Sequence, residues 1–195
     1  MNKEIIINDL NKLIKACNKC DLCKSKINYV LGTGSLNSNI IFIGEAPGYN
    51  EDIKGIPFIG KAGKILDDLL LSIDLNRDDV YITNILKCRP PKNRNPLFNE
   101  IESCTKYLNN ELEIIKPIVI STLGNFSSKF IFNKFSLEFD KISDIHGKIF
   151  PVNSIYGNIH IIPQYHPAVA VYNPNKIRTL LDDFKIIKDI VNKLK

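Results

Sequence analysis

Cys17-Asn-Lys-Cys20 places two thiols three positions apart, and Cys23 extends the run to C-x-x-C-x-x-C. Cys88 and Cys104 follow well downstream, making five cysteines in all. An odd number argues against a disulfide framework and towards metal binding or catalysis. Thiolates are soft ligands that suit zinc or an iron–sulfur cluster better than magnesium or calcium. From spacing alone three readings stand: a four-thiolate zinc site, a cluster, or, for Cys104, a small apolar residue buried on a helix. Spacing also leaves open whether Cys20 or Cys23 is the second proximal ligand.

Other residues with chemical potential stand at the ends of apolar runs. Glu45 follows Asn39-Ile-Ile-Phe-Ile-Gly, Asn84 closes Asp79-Val-Tyr-Ile-Thr-Asn, and His166 follows Ile159–Pro163. By residue type alone Asn84 also suits a strand-end turn, Phe58 a core position and His166 a turn cap. His146, before a glycine, and His160, inside a strand, belong to that ordinary class. Lys87, Arg89, Lys92 and Arg94 crowd the proline-rich stretch from Leu86 to Pro96, a candidate contact for phosphates.

These residues need elements to position them. Residues 3–16 and 61–73 carry apolar positions at helical spacing, as do 97–115, 125–133 and 173–194. Short apolar runs at 39–44, 79–84, 117–124, 148–152 and 158–163 read as strands. The stretch from Glu45 to Gly60 holds three glycines and two prolines and is expected to be an irregular loop. Strands alternating with helices predict an α/β fold with a largely parallel sheet. In such sheets ligands bind beyond the carboxyl ends of the strands, where Glu45, Asn84 and the loop from Gln164 all fall. No repeat or linker divides residues 1–195, so one domain is expected.

Of the 195 residues 44% are hydrophobic and 24% charged, ordinary for a globular chain. No apolar run approaches the ~20 residues that span a bilayer. The amino terminus reads as an amphipathic helix, not a secretory signal, which predicts a cytoplasmic protein with no membrane partner. The net charge of +5 is compatible with a polyanionic partner.

Several motifs together resemble the iron–sulfur (family 4) uracil-DNA glycosylases. They are Cys17-x-x-Cys20-x-Leu22, Gly44-Glu45-Ala46-Pro47-Gly48, and Glu51-Asp52-x-x-Gly55-x-Pro57-Phe58-x-Gly60-x-Ala62-Gly63. Thr83-Asn84-x-x-Lys87-Cys88-Arg89-Pro90-Pro91-x-Asn93-Arg94-x-Pro96 follows, then Glu100, Cys104 and His166-Pro167-Ala168. The resemblance implies a three-layer α/β/α sandwich around a four-stranded parallel sheet. It also implies a 4Fe-4S cluster on Cys17, Cys20, Cys88 and Cys104, with Cys23 a spare thiol.

By the same resemblance the chain is a monofunctional enzyme that flips uracil from single- or double-stranded DNA and hydrolyses its glycosidic bond. Phe58 stacks on the base, Asn84 reads its edge and His166 donates to a uracil oxygen. Glu45, Ala46 and Pro47 line the pocket, with Glu45 the nearest carboxylate to activate water. Where the family often carries an arginine, this chain has Tyr172, expected to stack in the gap left by the base. A monomer is expected, and no clear sliding-clamp motif is present.

Overall fold

The computed structural model describes residues 2–155 and 157–193; the expected helix end at Leu194 and the terminal positions 1 and 195 lie outside them. The elements run α1 Lys3–Lys15, α2 Leu22–Ser25, β1 Thr33–Gly34, β2 Ile40–Gly44, α3 Tyr49–Lys54, α4 Lys61–Leu71 and β3 Tyr81–Asn84. They continue through α5 Phe98–Ile115, β4 Val119–Leu123, α6 Asn125–Lys134, α7 Ile142–Ile145, β5 Phe150–Ser154, β6 Gly157–Gln164, α8 Ala168–Tyr172 and α9 Lys176–Lys193.

The sheet has the order β1-β3-β2-β4-β6-β5. Its four inner strands, β3, β2, β4 and β6, are mutually parallel, as expected. β1 and β5 extend it antiparallel at the two edges. A two-residue strand such as β1 has no periodicity to read, so that edge was invisible in the sequence.

Alternation along the inner strands builds the three layers. Ile41 and Ile43 face one core with Ile14 of α1, Leu108 and Leu112 of α5 and Phe132 of α6. Ile40 and Phe42 face the other, with Leu66 and Leu69 of α4 and Phe184 and Ile187 of α9. Both faces of each inner strand are therefore apolar, which gives continuous runs in the sequence. Phe42 and Phe184 stack with ring centroids 5.5 Å apart.

Two expectations are corrected. The stretch from Glu45 to Gly60 is not wholly irregular: α3 forms inside it and stops at Gly55, whose φ is 72°. A short helix the sequence did not predict, α8, precedes the last one, and the helix expected from residue 173 begins at Lys176, after the break at Asn173 and Pro174. No helix among the described residues is long and apolar enough to cross a membrane.

Candidate active site and thiol cavity

The carboxyl ends of β2, β3 and β6 open onto one cleft of about 370 Å³, a size usual for small-molecule sites. Glu45, Ala46, Pro47 and Gly48 line it from the β2 end, Asn84 from β3 and His166 from β6. Glu51 of α3 and Phe58 complete its inner wall, while Pro90, Asn93 and Arg94 bring the basic loop to its edge.

Phe58 is buried in the core and also lines the cleft. Its φ is 52°, a left-handed conformation unfavourable for an aromatic residue. Three features hold that turn. Arg77 donates to the Pro57 carbonyl at 3.0 Å and to the Phe58 carbonyl, and its guanidinium pairs with Asp67 at 2.6 Å. Gly63 passes so close that a Cβ there would lie 1.8 Å from the Phe58 carbonyl oxygen. A Cβ at Gly44 would lie 2.3 Å from Asn84 Oδ1 and 2.5 Å from Phe58 Cζ. The two glycines thus leave the room in which Asn84 and Phe58 sit.

The Phe58 ring stacks on His166 with centroids 5.7 Å apart and planes 28° from parallel. The Ala168 amide donates to His166 Nδ1 at 3.1 Å. A backbone N–H only donates, so Nδ1 is bare and the neutral ring carries its hydrogen on Nε2. Burial pushes the His166 pKa down to about 4, with the Glu51 charge pulling the other way. At neutral pH the side chain is an uncharged donor. Asn84 Oδ1 is buried with no hydrogen-bond partner among the described residues, a costly state that a ligand donor would relieve.

Two carboxylates face this space in different settings. Burial pushes the Glu45 carboxyl above its usual range. Glu51 Oε1 instead accepts from the Ile59 and Gly60 amides at 3.0 and 2.7 Å, just ahead of α4. Those two amides fix the position of the Glu51 side chain at the head of α4.

Beyond the loop that follows β3, all five cysteines line one cavity with Ile14, Tyr29, Leu86 and Tyr107. Cys88 and Cys104 are buried in the α1–α5 core and Cys17 and Cys20 pack against it. Cys23 lines the cavity without being part of that core. Burial, reinforced by neighbouring thiols, raises Cys88, and burial pushes Cys104 up to about 11 against the opposing Lys87 charge. Tyr29 donates to the Cys17 carbonyl at 2.6 Å, fixing the first thiol loop. Among the described residues no three His, Cys, Asp or Glu side chains close on a single-ion position.

The family model described as the uracil DNA glycosylase superfamily matches residues 31–195. The chain is 49% identical over 187 residues to a type-4 uracil-DNA glycosylase of Archaeoglobus fulgidus, covering 96% of this chain and 94% of that one. The chain belongs to the type-4 uracil-DNA glycosylases. A Saccharolobus solfataricus member is 44% identical, with coverage of 98% and 87%. One from Thermotoga maritima is 35% identical, with coverage of 98% and 97%.

Set in this family, the structure brings Glu45, Ala46, Pro47, Phe58, Asn84 and His166 to one cleft and Cys17, Cys20, Cys88 and Cys104 to one cavity. One expectation about the basic loop fails. Lys87 does not face solvent: it is 1% exposed and bonded to Glu111 at 2.7 Å, Thr83 at 2.6 Å and the Asn84 carbonyl at 3.0 Å. Of the other three, Arg94 is forked onto Glu100, Arg89 lies over the Tyr49 ring and Lys92 is exposed.

Sequence reasoning named Glu51 only as a motif member and passed over Glu111. The signal for Glu111 was present: Cys104, Leu108, Glu111 and Ile115 share a helical stripe that is otherwise apolar. An acid in such a stripe requires a buried cation.

Proposed function

We propose that this chain removes uracil from single- and double-stranded DNA by hydrolysing the glycosidic bond, leaving an abasic site for base excision repair. The observation that carries this reading is the cleft itself. It combines a neutral imidazole donor, an orphaned buried amide oxygen and an aromatic face.

A flipped base enters the cleft and lies against the Phe58 ring. Asn84 Oδ1 accepts from the uracil N3–H while its amide donates to O4; cytosine, lacking that donor and carrying an amine at C4, leaves both groups mismatched. As the bond from C1′ to N1 breaks, its electron pair moves onto uracil. His166 Nε2–H then donates to the O2 oxygen, where the negative charge grows. Water adds to the cation-like C1′ as its hydroxyl, and the proton it gives up passes through solvent to the uracil anion, which leaves as neutral uracil. In this reading Glu45 orients that water, while the Glu51 carboxylate adds a negative field that favours the sugar cation. Ala46 supplies no acid or base, so the barrier falls mainly through electrostatics. Among the described residues no lysine lines the cleft, and the reaction proposed is hydrolysis alone.

We further propose that Cys17, Cys20, Cys88 and Cys104 hold a 4Fe-4S cluster. The donors fit: all are thiols, and they surround an apolar cavity. When bound, the cluster supplies a covalent cross-link between the amino-terminal segment, the Cys88 loop and α5. Cys23 is the spare thiol. The enzyme acts as a monomer in the cytoplasm, where thiols stay reduced.

The test is incubation with oligonucleotides carrying one uracil, a thymine mismatch, hypoxanthine or ethenocytosine. Alkali-labile breaks at uracil are expected; uracil strands that stay intact would refute the function.

A further inference from the structure

Among the described residues the most buried charges are those of Lys87, which also lines the thiol cavity, and Glu111, which lines neither the cavity nor the base cleft. Lys87 and Glu111 are 1% and 0% exposed and their charged ends meet at 2.7 Å. Thr83 Oγ1 receives a Lys87 hydrogen bond at 2.6 Å and donates towards Glu111 at 3.0 Å. The Tyr81 hydroxyl reaches the same carboxylate at 3.4 Å. A fully buried pair of this kind gains little net stability over apolar residues of similar size. Its geometry is better suited to fixing a position.

What it fixes is the segment from Asn84 to Cys88. The Lys87 ammonium donates to the Asn84 carbonyl at 3.0 Å, its amide donates to Cys104 Sγ at 3.3 Å, and its carbonyl accepts from Val30 at 2.8 Å. One residue therefore grips the Asn84 backbone with its side chain and a cavity thiol with its main chain. We propose that Lys87, clamped by Glu111 and Thr83, is a positioning residue that sets the base-reading Asn84 from the thiol site. This rests on the uracil-excising reading above.

The experiment compares the holoenzyme with the Lys87→Met/Glu111→Gln variant, which removes both charges at nearly constant volume. Free uracil inhibition, single-turnover excision, affinity for abasic-site DNA, iron content and thermal melting are read on the same samples. The expected result is a folded variant with iron content unchanged and abasic-DNA affinity within about twofold. Its inhibition constant for uracil rises, and its excision rate falls, by roughly tenfold, as for one misplaced hydrogen bond. Unchanged uracil inhibition and rate in the folded variant would overturn the proposal. If that variant does not fold, Thr83→Val, which deletes only the hydroxyl on Lys87, is judged by the same readouts. A wild-type enzyme that fails to excise uracil would refute the functional reading instead.

Discussion

The histidine at the cleft is neutral for a structural reason, and its neutrality is measurable. Burial holds His166 at about 4, while the unfolded chain would titrate near 6.5. Between those values the unfolded state binds more protons, so the His166 contribution is fully present above about pH 6.5 and is lost as pH falls towards 4. Denaturant melts at pH 7 and pH 4.5 should differ by roughly 2–3 kcal/mol more in wild type than in His166→Gln. Equal pH dependence would mean an imidazole with an ordinary pKa. The same neutrality predicts that single-turnover excision shows no loss attributable to His166 between pH 8 and pH 5. At the second carboxylate, Glu51→Gln should keep its amide contacts but lose the negative field, lowering excision roughly tenfold or more with little change in melting temperature.

The elements hold the site by close approach as much as by hydrogen bonds. Gly63→Ala would drive a methyl into the Phe58 carbonyl, and α4 must then shift away from the strained turn. A loss of about 1–3 kcal/mol of stability is expected, together with weaker uracil inhibition; a variant unchanged in both would show that the turn is not set by this approach. Such close packing explains what the sequence could and could not reveal. The four inner strands were legible because both their faces are buried, so Ile40–Ile43 reads as one apolar run. Asn84, Glu45 and His166 stood out because each follows a run of that kind, and Cys17 and Cys20 because of their short spacing. Cys88 and Cys104, far downstream, were joined to them by the family resemblance. β1 and α3 were not, being too short for any period to show. Lys87 was misplaced because a basic residue in a proline-rich loop reads as solvent-facing, while its partner Glu111 is 24 positions away. Only the fold brings the two together.

At the scale of the whole molecule, the cleft and the thiol cavity lie on either side of one loop, and the outer surface of that loop carries the remaining basic residues. Neutralising Arg89 and Lys92 should weaken DNA binding and reduce the salt slope by about 0.9 log units for each phosphate they neutralise. Lys87→Met, in contrast, should leave that slope unchanged. Cys23→Ala should retain iron and melting temperature, whereas Cys88→Ala should lose both, read by iron content and thermal melts on the same preparations. The central claim is that one cleft both reads uracil and stabilises its departure. It is tested most directly by single-turnover excision from a uracil oligonucleotide, measured beside abasic-DNA affinity for wild type, Asn84→Ala and His166→Ala. The account predicts rates lowered about 10²-fold or more in both variants, with affinity nearly unchanged. Parallel losses of rate and affinity, or wild-type rates in either variant, would contradict it.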